Sequence, residues 1–140
     1  MISINEFKNG SKNLKTEAVD SSDKISILFS KLFESRNFAH YCHLRSDSYA
    51  QHKALGSFYE GVVDLADKLY ETYAGKYGQI SFDAGCDIKE SDVVKYFESL
   101  GKMVSESHSM IKEADTHLHN ILDEITALVY QTTYKLKFLK

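Results

Sequence analysis

The chain has 140 residues, a formal net charge of −3 and 43% hydrophobic residues, with no proline and no tryptophan. This length and composition predict one domain with an apolar core. The slightly acidic balance disfavours a general nucleic-acid binder, which usually carries a basic face. Cys42 and Cys86 are too few for a disulfide framework, which favours a reducing compartment. No signal core or long apolar run is present, so we expect a cytoplasmic protein without a membrane span.

The first half of the domain is predicted to be a helical hairpin. Residues 1–20 show no sustained hydrophobic period and are expected to form a flexible arm, followed by a helical domain over residues 21–140. The first helix is predicted to begin at the Ser21-Ser22-Asp23 cap. The second is predicted to begin after the polar segment Arg45-Ser46-Asp47-Ser48 and to end at Gly75.

The second half is predicted to form another hairpin. Residues 75–90 contain three glycines and no strong period, which indicates a long connection. A third helix is predicted from near Ser91 to about Lys112, and a fourth carries apolar residues from Leu118 to Leu136 at helical spacing. Two short-turn hairpins joined by one long crossover between the second and third helices predict an all-α, ferritin-like four-helix bundle.

The apolar residues of the second helix predict which of its faces is buried. At about 100° per residue, one stripe is expected to form its core face: Leu55, Tyr59, Val62, Val63, Ala66, Tyr70 and Tyr73.

Two histidines flank the predicted first turn. His40 and His52 each lie six residues from Ser46, so an antiparallel hairpin places them level, about 9 Å from the turn at a rise of about 1.5 Å per residue. His40 and His43 continue the apolar stripe of the first helix and are expected to face inward. The pair either shares a ligand or consists of two packed histidines.

Four acidic residues, Glu60, Asp64, Asp67 and Glu71, form a stripe beside the core face of the second helix. The stripe is either solvated or borders a partner. Asp67 lies about 22 Å from His52 along the helix axis, so the two cannot bind one metal ion within one chain. If two second helices pack antiparallel across a twofold axis, the histidine end of one meets the acidic end of the other.

These residues carry a resemblance to a known family. The segment FAHYCHLRSDSYAQHKALGSFYEGVVDLADKLYE resembles the first hairpin of the Dps miniferritins, which have a His late in the first helix, a second His twelve residues on, and an Asp-x-x-x-Glu pair fifteen residues further. His40, His52, Asp67 and Glu71 match this pattern without a gap. The resemblance implies that these four residues bind iron between subunits of a homodimer or larger homo-oligomer and oxidise Fe(II) with peroxide or oxygen.

The chain also departs from that family. Gly56 stands where the family usually has an Asp, and Tyr41 where it usually has a Trp. The missing carboxylate removes an oxygen ligand that a hard cation favours, although Glu60 lies one turn further on. The connection is too short for the additional helix through which the family builds its dodecameric shell, so the sequence is compatible with a dimer that forms no cage.

A second resemblance leads to an alternative. The chain is similar, more weakly, to small phage-encoded helical proteins of unassigned function. The alternative expectation is therefore a non-enzymatic, ferritin-like helical dimer that binds a partner or a small ligand.

Other charged and titratable residues give weaker signals. His117 follows Glu113 by four residues, and His119 follows Asp115 by four residues. These two histidines and His108 are expected to form surface pairs.

DNA binding is weakly supported, because it needs clustered cations. Acidic residues lie between the lysines of the arm, and the lysines near the end of the chain are equally explained by the favourable effect of cations at a helix C-terminus. These lysines are Lys8, Lys12, Lys15, Lys135, Lys137 and Lys140.

Overall fold

The structure, a computed structural model, describes residues 21–83 and 91–140. Within these ranges the chain is all-α, as predicted. Its elements are α1 (Ser21–Arg45), α2 (Tyr49–Tyr77), α3 (Val93–Glu106), a 3₁₀ turn (Ser107–Met110) and α4 (Thr116–Phe138). The arm predicted over residues 1–20 lies outside the described residues, as do residues 84–90 of the connection. None of the described helices has the length and hydropathy needed to cross a membrane.

The turn between α1 and α2 is built by serine side chains. Ser48 is the N-cap of α2, and its hydroxyl accepts a hydrogen bond from the backbone N–H of Gln51 at 3.3 Å. The hydroxyl of Ser46 accepts from the backbone N–H of Ser48 at 3.2 Å. These bonds satisfy backbone donors that a helix start leaves open, and the polar segment thus caps α2 as the sequence predicts.

The predicted end of α2 at Gly75 is wrong. The helix continues to Tyr77 and ends at Gly78, which has φ 91° and donates its N–H to the carbonyl of Ala74 at 2.8 Å. Gly78 adopts the left-handed backbone conformation that commonly ends helices. Gly75 keeps the helical hydrogen-bonding pattern, which glycine tolerates at a modest cost.

The third helix is shorter than its apolar spacing predicts. Instead of reaching Lys112, α3 ends at Glu106 and passes into the 3₁₀ turn. Ile111 then adopts an extended backbone conformation. Ile111 is nevertheless buried in the core, so its helical spacing reflects burial and not a continuous helix.

Contacts between side chains define the helix directions. The ion pairs Lys68–Glu124, at 3.5 Å, and Lys76–Asp115 show that α2 and α4 are antiparallel. The α3–α4 pair is also antiparallel, because Lys137 near the end of α4 binds Glu98 in the first half of α3 at 3.2 Å. It follows that α2 and α3 run in the same direction.

The connection after α2 begins by returning along the groove between α1 and α2. The Tyr70 hydroxyl donates to the carbonyl oxygen of Ile80 at 3.0 Å. Two residues later, Phe82 stacks on Phe33 of α1 with ring centroids 5.4 Å apart. This path starts the return that two parallel helices, α2 and α3, require.

The core draws on all four helices, but α2 is rotated relative to the predicted stripe. Phe58 and Leu69 are fully buried, whereas the predicted core residues Tyr59, Tyr70 and Tyr73 are only partly buried. α2 packs between α1 and α4, and its most buried line therefore faces the bundle axis. Tyr70 lies instead beneath the connection, where its ring contacts Phe82.

Asp115 joins the start of α4 to the end of α2. Its carboxylate is 1% exposed and accepts hydrogen bonds from Lys76 Nζ and the Tyr77 hydroxyl. The hydrogen bond from Lys76 has the largest effect on the pKa of Asp115 and lowers it, and the bond from Tyr77 lowers it further. The expected surface pairing of Asp115 with His119 is wrong, because the folded chain turns this carboxylate toward α2.

We expect Asp115→Asn to destabilise the protein more at pH 7 than at pH 3. The folded pKa of Asp115 lies below its unfolded value, so the stabilisation is complete above the ordinary pKa of about 3.9 and is lost as the pH falls through the lowered value. Thermal melts at both pH values measure this difference. Asp64→Asn, at an exposed position on α2, is the matched control and should have little effect. An equal loss of melting temperature at both pH values would contradict the assignment.

Candidate functional site

The α1–α2 turn brings two histidines into direct contact. The rings of His43 and His52 stack with centroids 3.6 Å apart and planes 19° apart. His43 Nδ1 lies 2.6 Å from the carbonyl oxygen of His52, and His52 Nδ1 lies 2.8 Å from the carbonyl oxygen of His43. A carbonyl oxygen only accepts, so each Nδ1 carries a hydrogen and donates it. In the neutral rings, each Nε2 therefore keeps its lone pair.

The local sequence explains this reciprocal pair. The carbonyl of His43 lies in the last turn of α1, where carbonyl groups lack a helical partner, and His52 supplies one. On the other side, Gly56 lets the His43 ring approach α2 closely, because a Cβ at that position would lie 3.1 Å from His43 Cε1. Gly56 thus has a packing role in this chain: it makes room for an imidazole ring.

His40 lies one helical turn further from the hairpin turn. Its ring stacks on Tyr59 of α2 with centroids 4.2 Å apart, and its centroid lies 6.2 Å from that of His43. The expected level pairing of His40 with His52 assumed a turn centred at Ser46. Helix α1 ends at residue 45 and α2 begins at residue 49, so the turn is centred one to two residues later than Ser46, and the neighbour of His52 is His43.

The carboxylates of the predicted site lie elsewhere on α2. Asp67 and Glu71 are both exposed, as are Glu60 and Asp64 of the same stripe. Within residues 21–83 and 91–140 of one chain, no three His, Cys, Asp or Glu side chains are grouped so that they could hold a metal ion. The structure brings together His40, His43 and His52 on the hairpin but does not join them to Asp67 and Glu71.

A second histidine pair was not foreseen. His108 of the 3₁₀ turn and His119 of α4 have Nδ1 atoms 2.6 Å apart, and their rings are nearly parallel. His108 Nε2 lies 3.0 Å from Asp123 Oδ1, while His119 Nε2 donates to the carbonyl of Lys112 at 3.0 Å. These contacts between the two rings, Asp123 and the carbonyl of Lys112 connect the 3₁₀ turn and the segment after it to α4. The two histidines are eleven residues apart, across a turn that carries no periodic signal.

A cleft of about 530 Å³ lies between the α1–α2 turn and the start of α3. Its wall includes Cys42, whose pKa is raised by burial and only partly lowered again by Arg45. Arg45 itself donates to the Tyr41 hydroxyl at 2.6 Å. The raised pKa keeps the Cys42 thiol protonated, which makes it a poor nucleophile.

This helical chain, with its histidine-lined hairpin, belongs to a family of unknown function, DUF5856, whose model matches residues 43–136. The matched range begins at His43 in the last turn of α1 and ends near the end of α4. His52, Asp67 and Glu71 lie inside it, and His40 lies outside it.

The chain is also similar to an uncharacterized 14.6 kDa protein of the mobD–ri intergenic region of Enterobacteria phage T4. The two are 29% identical over 107 residues, which cover 75% of this chain and 81% of the phage protein. The expected similarity to small phage-encoded proteins is confirmed, and the resemblance to Dps miniferritins stays a prediction. No solved structure matches the chain.

We expect the neutral forms of both His43 and His52 to carry their ring hydrogen on Nδ1. Long-range ¹H–¹⁵N correlation spectra at alkaline pH distinguish this tautomer from the Nε2–H form. His117, which is exposed, serves as the internal comparison. Gly56→Ala should shift the His43 ring and weaken its Nδ1 hydrogen bond. Finding Nε2–H forms of both residues in the wild type would contradict the reciprocal pair.

Proposed function

We propose that this protein is a ferritin-like protein that binds Fe(II) at a site shared between two copies and oxidises it. The histidines of one α1–α2 hairpin supply nitrogen ligands, and Asp67 and Glu71 of the second copy supply oxygen ligands. Fe(II) is the substrate of this reaction. The proposal rests on the residues of the hairpin, on the directions of the helices and on the separation of the two ligand groups.

The orientation of the His52 ring is the observation that carries the proposal. Metal-binding histidines usually donate their second ring N–H to a carbonyl or carboxylate, which fixes the ring and its tautomer. His52 donates Nδ1–H to the carbonyl of His43 at 2.8 Å. Its Nε2 is then the nitrogen available to a metal ion, and His43 is oriented in the same manner.

The helix directions support a ferritin-like scaffold. α1 and α2 form one antiparallel hairpin, α3 and α4 form another, and α2 and α3 run in the same direction. A bundle with these directions needs one long crossover, which is the connectivity of ferritin-like folds. Residues 78–92 supply this connection.

A second copy is required to complete the ligand set. Asp67 follows His52 by fifteen residues on α2, which corresponds to about 22 Å. An antiparallel arrangement of two α2 helices places the His52 end of one beside the Asp67 end of the other and creates two equivalent sites. Imidazole nitrogen and carboxylate oxygen are both suitable ligands for iron.

The oxidation step balances with hydrogen peroxide as the oxidant. Two Fe(II) ions each lose one electron, and one peroxide molecule takes up both electrons and two protons to form two water molecules. The carboxylates stabilise the more highly charged Fe(III) product, because a hard cation favours anionic oxygen ligands. The proposed consequence is that the protein removes both Fe(II) and hydrogen peroxide, which would otherwise react with each other and generate radicals.

A second candidate function is a non-enzymatic helical dimer. The packing of His43 against Gly56 favours it, because this imidazole ring occupies the space beside the position where the Dps pattern has an Asp. In this alternative the histidine pair stabilises the hairpin, and the exposed carboxylates of α2 are solvated.

Complementation between two variants tests the shared site. We expect His40→Ala/His52→Ala and Asp67→Ala/Glu71→Ala each to lose saturable Fe(II) binding and oxidation. In a heterodimer of the two variants, one site regains all wild-type ligands and the other loses them, so activity should return to about half by twofold symmetry. Anaerobic Fe(II) titration, followed by addition of peroxide, measures binding and oxidation, and native mass spectrometry quantifies the heterodimer.

Two matched variants control for charge and for histidine content. Asp64→Ala removes a carboxylate from the same acidic stripe, and His117→Ala removes an exposed histidine. Both should keep Fe(II) binding. If the wild-type protein binds no Fe(II) saturably, or if folded heterodimers recover none, the iron site is refuted and the non-enzymatic dimer is favoured.

A further inference from the structure

Within residues 21–83 and 91–140, the outer face of α4 carries aromatic side chains that stay largely exposed. Three of them are largely exposed: Tyr130 at 52%, Tyr134 at 57% and Phe138 at 66%. They follow Ala127 at spacings of three and four, and we call these four residues the α4 seam. Such spacing is typical of a helix that packs along a second helix. The opposite side of α4 is already buried in the core.

The outer face of α2 offers a contrast. Between Ser57 and Glu71, the exposed residues of α2 are polar or charged, as is usual for a helix on a protein surface. They are Ser57, Glu60, Asp64, Asp67, Lys68 and Glu71. The α4 seam therefore differs from this stretch of α2.

The aromatic side chains of the seam are held in place by their own chain. Tyr130 lies across Gly101 of α3, where a Cβ would come within 2.7 Å of its Cε1, and its hydroxyl lies 3.2 Å from Ser105 Oγ. Tyr134 packs on Phe138 with ring centroids 5.5 Å apart. Side chains that are ordered before association lose less entropy when they bind.

Charges at the two ends of the seam have opposite signs. Asp123 and Glu124 lie before Ala127, while Lys137 lies at the other end. Two parallel copies would place like charges together. Two antiparallel copies, related by a twofold axis near Tyr130, would place Asp123 beside Lys137 of the partner subunit at both ends.

We infer that the α4 seam is a self-association surface on which two copies of this chain pack antiparallel. The same axis brings the small Ala127 opposite the large Tyr134 of the partner subunit. The partly exposed charges contribute little to affinity but select the antiparallel orientation. Each already has a partner in its own chain, such as Glu98 for Lys137 and His108 for Asp123, so these side chains are oriented before the copies meet.

This contact goes beyond the proposed iron site and uses a different helix. The iron site requires the outer face of α2, and the seam contact requires that of α4. Loss of the seam dimer and loss of iron binding are therefore separable. Tyr134→Glu should weaken association through the seam without removing iron ligands. Asp67→Ala/Glu71→Ala should remove iron ligands without weakening association through the seam.

Sedimentation equilibrium of the full chain tests whether the seam drives association. Tyr134→Glu should weaken self-association at least tenfold, because it places a charge in the apolar centre of the contact. Tyr49→Glu is the matched control, since Tyr49 is 76% exposed but lies at the start of α2, and it should leave the seam association unchanged. Equal melting temperatures would show that both variants are folded. A monomeric wild type, or equal effects of the two variants, would refute the seam.

Cross-linking tests the orientation. In a background of Cys42→Ser/Cys86→Ser, chains with Asp123→Cys are mixed with chains carrying Lys137→Cys and treated with a short thiol cross-linker. An antiparallel seam predicts cross-links in the mixture only, because two copies of residue 123 would lie about 20 Å apart along the helices at about 1.5 Å per residue. Cross-links formed by either variant alone would indicate parallel packing and would overturn the inference, as would the absence of any cross-link.

Discussion

The short turn between α1 and α2 sets the geometry of the candidate site. Ser46 and Ser48 provide hydrogen bonds that order the turn and start α2, and the length of this turn sets the register in which the two helices face each other. That register brings His43 against His52 and leaves His40 against Tyr59. A turn longer by one residue would change every pair across the hairpin, because side chains on a helix rotate by about 100° per residue.

The sequence predicts the helices well because their caps and apolar periods are local signals. It places the ends less accurately. The sequence alone does not distinguish Gly75 from Gly78 as the end of α2. The backbone shows that Gly78 has the positive φ at which the helix ends. The rotation of α2 was missed for a related reason. Tyr59 and Tyr70 are apolar enough to extend a stripe, but their partners are His40 and the connection after α2, and both depend on tertiary structure.

The sequence predicts that histidines flank the first turn, but it does not predict how they pair. Spacing along the chain identifies His40, His52, Asp67 and Glu71 and shows that one helix cannot join its own histidine to its own carboxylates. It does not show that His43 is the direct neighbour of His52, since a shift of the turn centre by one to two residues decides this. Likewise, Gly56 looks like a lost ligand in the sequence, whereas its lack of a Cβ makes room for the His43 ring.

The distribution of charge and apolar surface makes association central to both proposals. On α2, His52 and the carboxylates of Asp67 and Glu71 lie far apart along one continuous helix, and a rotation of side chains cannot span a separation of about 22 Å. On α4, the aromatic residues lie outside the core formed by the described residues, and the proposed contact with a second copy would bury them. Because these surfaces lie on different helices, one copy can use both at once. Two distinct twofold contacts per chain generate assemblies larger than a dimer, so the size of the assembly would follow from surfaces that an isolated chain leaves exposed.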